Sequence, residues 1–210
     1  MINISPESLL SVMKSRRSIR KFLPDAVPDA DIESIIEAAA WAPSGSNQQN
    51  WEFIVVRSPE VKERLVEAVK QTIATMADNI VSARAKTEFT GYSAYYTFFA
   101  DAPVVIAVVQ KPYESLARRI IIRYNLAVAA VSTAAVQGPA AAIQNMLLMA
   151  QARGLGTCWM TGPLIAQSLL EKELGVASPD ELIALVPVGR PAVTPVPPQR
   201  KKIQENMRWM

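Results

Sequence analysis

From Tyr124 to Ala152 the chain carries no charged residue. A stretch of that length must either cross a bilayer or be buried within protein. Three features favour burial. Much of the stretch is alanine, Gln137-Gly138-Pro139 interrupts it, and Asn125, Gln144, Asn145 and Gln151 are spread through it. It therefore reads as helical core or subunit interface rather than a membrane span. With 210 residues, 50% of them hydrophobic and 20% charged, the chain is expected to form one domain over 1–210 with an ordinary core.

Absences narrow the chemistry. There is no histidine, which excludes His-based triads, His general bases and most zinc sites. No cluster has metal-ligand spacing. The net charge is only +3 and no dense Lys/Arg stripe exists, so no nucleic-acid partner is expected. Cys158 is the one cysteine; no intrachain disulfide can form, which suits a cytoplasmic location. The N-terminus lacks a basic segment followed by an apolar run, so no secretory signal is expected.

Periodicity and turn residues place the elements. Ser5 caps a helix over 5–15, with Pro6 at its first position. A second helix begins at Asp29 or Asp31 and ends near Pro43. Residues 52–56 read as a strand, 59–87 as one helix, and Pro103 to Val109 as a strand buried on both faces. Helix returns over 115–153, as two helices meeting at Gly138-Pro139. Thr157 to Met160 forms a short strand, and Thr161-Gly162-Pro163 turns into a helix reaching Leu174. Glu181 to Val188 is the last strand. Pro191, Pro195, Pro197 and Pro198 keep the tail extended. The order predicts an α+β or three-layer α/β architecture with a small sheet.

Three constellations could carry chemistry. Lys14, Arg16, Arg17, Arg20 and Lys21 surround Ser18. Guanidinium forks suit phosphate oxygens, although alone the run reads as a solvated charged turn. Residues 43–51 concentrate serine and amide side chains, which both donate and accept; alone they read as a surface loop. Gly154-Leu155-Gly156 is not a dinucleotide fingerprint, because Trp159 stands where the third glycine is due and a helix precedes it. It reads as a helix C-cap. Thr161-Gly162 then offers backbone N–H groups at a helix start. Cys158 reads as a small buried hydrophobe.

Taken in order, these pieces resemble the nitroreductase family of FMN enzymes. The resemblance rests on Arg16-Arg17-Ser18-Ile19-Arg20, Ala42 to Trp51, Ala141 to Ala150, Gly154 to Trp159, Val188-Gly189-Arg190-Pro191 and Arg200-Lys201. It implies an α+β fold, a small central sheet flanked by helices, with long buried helices at a homodimer interface and FMN at that interface. It also implies that Arg16, Arg17, Ser18 and Arg20 hold the phosphate and ribityl chain. Pro43, Ser44, Gly45 and Asn47 would reach the flavin of the other subunit. Thr161 and Gly162 would give backbone donors near the flavin ring, and Arg200 would return to the phosphate. Two departures stand out. Asn50 replaces a proline frequent in the family, and Tyr95-Tyr96-Thr97-Phe98-Phe99 lacks the Asn and Lys that some members place beside the flavin. Arg20 then becomes the candidate for balancing the reduced flavin. The implied activity is electron transfer from NAD(P)H to nitroaromatics, quinones or similar small acceptors. Dehalogenation, flavin destruction or redox sensing without turnover are the alternatives.

Overall fold

The computed structural model describes residues 4–126 and 133–210, without the side chain of Arg118. Part of the uncharged stretch, residues 127–132, lies outside the described residues.

The sheet is organised around β2 (Val104–Gln110). Val104 to Val109 are almost wholly buried, as a run of apolar side chains alternating between two faces requires. β2 pairs antiparallel with β1 (Trp51–Val56) on one side and with β4 (Glu181–Gly189) on the other. β4 also pairs with the two-residue β3 (Gly156–Thr157), so the strand order is β1-β2-β4-β3. Val104, Ile106 and Val108 face a core shared with α2 (Asp29–Ala40) and α6 (Ala134–Ala152). Val105, Ala107 and Val109 face a second core with α3 (Pro59–Asp78) and α7 (Gln167–Leu174). The result is helix, sheet, helix, as the alternation of elements predicts.

Three expectations need correction. The helix expected over 59–87 is two helices, α3 and α4 (Ala83–Ser93). Ser82 stops continuity, because its side chain caps α4 by accepting the Ala85 N–H at 3.3 Å, and Ser favours a cap over a helix interior. The strand expected over 157–160 pairs with β4 as β3 and again at Met160 opposite Leu185, leaving Cys158 and Trp159 unpaired between them.

The third concerns Gly138-Pro139. Helix was expected to break there; instead α6 runs through it, while a separate α5 spans Leu116–Arg123. A proline inside a helix removes one N–H and costs about 3 kcal/mol. The carbonyl left without its N–H is that of Ala135, and the Asn50 side chain supplies the missing donor, Nδ2 to O at 2.8 Å. Asn50 is only 3% exposed. The cost of the proline is thus offset by a residue far away in sequence.

The expected C-cap is present. Leu155 N–H bonds Ala150 O at 2.8 Å and Gly154 N–H bonds Gln151 O at 3.1 Å, the paired closure of a Schellman end. The tail runs back beside residues 21–23, with Leu23 N–H donating to Arg190 O and Ala192 N–H to Lys21 O. Among the described residues no helix is long and apolar enough to cross a membrane.

Because Ile106 is fully buried at the sheet centre, Ile106→Ala is expected to destabilise the fold by about 2–5 kcal/mol. The shift of the urea unfolding midpoint at unchanged slope measures it.

Candidate functional site

The basic segment leaves α1 (Pro6–Ser15) as an edge to the sheet. Ser18 bridges Thr157 in parallel, and Ile19 N–H donates to Thr157 O at 2.9 Å. Ile19 is buried against Gly156, where a Cβ would lie 2.5 Å from its side chain. Only glycine permits that approach. One inward residue is thereby locked, and Arg20 emerges exposed.

The arginines do not all do the same thing. The Arg17 guanidinium donates to the carbonyls of Lys14 at 2.6 Å and Arg16 at 2.8 Å. It seals the end of α1, where the helix dipole favours a cation. Arg16, Arg17, Ser18 and Arg20 meet Arg200, Pro195, Val196 and Pro198 around a cavity of about 280 Å³. Among the described residues no carboxylate lines it. The ion pairs among the described residues use Arg57, Arg64, Arg84, Lys86, Lys111 and Arg153, and none of the four arginines here. Gathered guanidinium groups without an acidic partner repel one another and favour a polyanionic ligand.

Arg20 also lines a second cavity of about 630 Å³. Its wall is aromatic: Tyr92, Tyr95, Tyr96 and Phe98 face residues 158–162. Tyr92 and Tyr96 meet edge to face at 5.7 Å, and the Tyr96 ring lies against Gly162. Thr161 precedes a short 3-10 segment, Gly162–Ala166, whose first N–H groups have no carbonyl within it. Arg20 thus joins a cationic end to a wide aromatic end. Sequence reasoning missed the tyrosine wall. Its signal was the aromatic density of 92–99, but nothing in spacing told which cavity those rings would face.

Cys158 sits between the two ends. Burial pushes its thiol above the usual range, against the opposing pull of Arg20, a hydrogen bond with Ser18, and Arg16. The thiol is therefore protonated near neutrality and is no nucleophile.

Pro43, Ser44, Gly45 and Asn47 lie elsewhere. Their loop enters β1 at one edge of the sheet, whereas Ser18 flanks β3 at the other. Three inter-strand steps, about 14 Å, separate these edges. The structure therefore joins Arg16, Arg17, Ser18, Arg20 and Arg200 to Thr161 and Gly162 through adjoining cavities, but not to the serine loop. That loop borders its own cavity of about 320 Å³, against Ala134, Gln137, Gly138 and Ala141 of α6. Ser46, Asn47 and Gln49 have positive φ of 55°, 50° and 47°, costing roughly 1–2 kcal/mol for Ser46 and Gln49 and less for Asn47, whose side chain tolerates this region. Hydrogen bonds hold them there. Gln48 Nε2 donates to Glu114 O at 2.8 Å, Gln48 Oε1 accepts from Glu114 N–H at 3.3 Å, and Ser44 Oγ accepts from Gln49 N–H at 2.9 Å.

Comparisons with known proteins bear on the family and the fold. A model of the Nitroreductase family matches residues 13–190. The iodotyrosine deiodinase of Drosophila melanogaster is 30% identical over 198 residues, covering 90% of this chain but only 65% of the relative's own length. A BluB-like flavoprotein from Clostridium difficile 630 superposes with a TM-score of 0.82 at 27% identity, covering 96% of this chain and 98% of the other. The FMN- and NADPH-dependent nitroreductase NfnB from a Sphingopyxis strain, at 20% identity, has the same fold, with a TM-score of 0.74 over 97% of this chain and 99% of the other.

With the Cys158 thiol held neutral, alkylation by iodoacetamide at pH 7 is expected to be slow and to accelerate only above the ordinary thiol range. Mass spectrometry of timed reactions checks this; rapid labelling at pH 7 would contradict it.

Proposed function

This chain belongs to the nitroreductase family, and from that membership we propose that it binds FMN and carries electrons from NADH or NADPH to a small acceptor such as a nitroaromatic or quinone. The observation that carries the reading is the pair of cavities joined at Arg20, one cationic and one wide and aromatic. FMN has a matching shape, with a dianionic phosphate at one end and a flat tricyclic ring at the other.

Each residue takes a role from its surroundings. Arg16, Arg20 and Arg200, free of carboxylate partners among the described residues, hold the phosphate end. Ser18 adds a neutral donor. Arg17 supports the cluster mainly through α1, since its guanidinium is committed to helix carbonyls. Thr161 and Gly162 present backbone N–H groups at the ring end, where they stabilise developing negative charge. The tyrosine wall offers flat surface to a planar acceptor. When bound, FMN supplies the two-electron chemistry, taking reducing equivalents from a nicotinamide and yielding them to the acceptor in a ping-pong cycle. No histidine is needed, because solvent can supply protons at the open cavity.

Pro43, Ser44, Gly45 and Asn47 act on a second copy. Their place at the far edge of the sheet supports a homodimer in which each serine loop completes the neighbour's site. The cell location we propose is the cytoplasm.

Deiodination is the second reading, favoured by the 30% identity to an iodotyrosine deiodinase. An amino-acid substrate carries an ammonium group as well as a carboxylate. Among the described residues of one copy, the aromatic cavity has Arg20 for the carboxylate and no acidic side chain for the ammonium, which supports the nitroaromatic or quinone acceptor.

Purified protein is expected to show a flavin absorption band that bleaches anaerobically with NADH or NADPH. Bleaching by neither would overturn the reading. Arg20→Ala is expected to lower the flavin midpoint potential, because a cation beside the ring favours the added electrons. An unchanged potential in spectroelectrochemistry would remove that role from Arg20.

A further inference from the structure

We propose that Asn50 is a positioning residue, pinning the serine loop to α6 through the carbonyl that Pro139 leaves open and thereby fixing the loop's reach to the flavin. The inference rests on the reading that this loop contacts FMN, in whichever copy.

The argument begins with the backbone. Pro139 has no N–H, and its ring also disfavours a close bond at the carbonyl four residues earlier. The Ala135 carbonyl is consequently free for a donor from outside α6. Asn50 Nδ2 occupies that place at 2.8 Å and lies 3.4 Å from Lys111 O. The remaining amide oxygen, Oδ1, is buried without a partner among the described residues. It lies 3.2 Å from where a Cβ on Gly138 would begin. A larger residue at 138 would push the amide away, so Gly138 and Pro139 together form the socket that Asn50 enters.

What is attached is the loop itself. Asn50 closes the segment that includes Ser44, Gly45 and the three left-handed residues Ser46, Asn47 and Gln49. Its backbone carbonyl also accepts the Lys111 N–H at 3.0 Å. Gln48 anchors the middle of the loop to Glu114, but that bond is exposed. Asn50 is the buried anchor, and it is the one that refers the loop to α6, whose Ala134, Gln137, Gly138 and Ala141 form the opposite wall of the loop's cavity. Left-handed residues relax readily once their anchors are lost, and the Asn50 bond is the buried anchor that ties the loop to the helix.

The test uses the full-length holoprotein and two readouts, thermal stability and FMN dissociation followed by flavin fluorescence. Asn50→Leu keeps the shape of the side chain and removes the donor. It is expected to lower the unfolding midpoint and to weaken FMN binding by about tenfold, the scale of one buried hydrogen bond. Pro139→Ala restores a helical N–H to the Ala135 carbonyl. In the double variant N50L/P139A stability should largely return, whereas FMN binding should stay weak, because the loop remains unpinned. Recovery of FMN affinity together with stability would make Asn50 merely structural and overturn the proposal. Unchanged FMN affinity in N50L or in the double variant would overturn it as well. If N50L does not fold, the comparison of P139A with the double variant decides the same question. Wild-type protein that fails to bind FMN strikes the functional reading first and this inference with it, and that result is visible before any variant is made.

Discussion

Everything in the structure follows from the need to cover β2 on both faces. Val104 to Val109 expose no polar side chain and are almost fully buried, so helices must lie above and below the sheet. α2 and α6 take one face, and α3 and α7 the other. Neither face is then left for a ligand. Polar chemistry is driven to the edges, where β3 meets the arginine segment and β1 receives the serine loop.

Electrostatics finishes what packing begins. Ile19, locked over Gly156, sets the register of the segment beside β3. The tail returns along residues 21–23 and brings Arg200 to the same place. The cations gather without acidic neighbours, an arrangement that is unfavourable in isolation and favourable around a phosphate. Among the described residues, Arg20 alone lines both the cationic and the aromatic cavity. Its position joins the two cavities into one elongated candidate site.

The readable parts of the fold were those governed by local rules. Ser5 and Pro6 start α1 as expected, with Ser5 Oγ accepting the Ser8 N–H at 3.1 Å. The apolar run at 103–109 became the central strand, and Gly154 closes α6 as a cap rather than opening a dinucleotide loop. The failures were non-local. Gly138-Pro139 looks like a break because nothing nearby can replace the lost N–H; the replacement is Asn50, 85 residues before its acceptor. Asn50 itself looked like a minor departure from a family pattern. Arg17 looked like its neighbours, yet the end of α1 captures its guanidinium. Tyr95 and Tyr96 carried no periodic signal, because the chain leaves α4 before them through a 3-10 turn that has no fixed face in sequence.

By itself, the sequence determined the order of the strands and most helices, the double-sided burial of the sheet, the exclusion of histidine chemistry and the kind of cofactor that its motifs resemble. These depend on residue type and short-range spacing, which a chain carries whether folded or not. Only the tertiary structure decided which cations share a cavity, that Arg20 joins it to the aromatic wall, and that the serine loop lies at the opposite edge. It also decided that a proline could stay inside a helix. Those outcomes depend on which distant groups the folded sheet brings within hydrogen-bonding or Coulombic reach, and such distances exist only once β2 is covered.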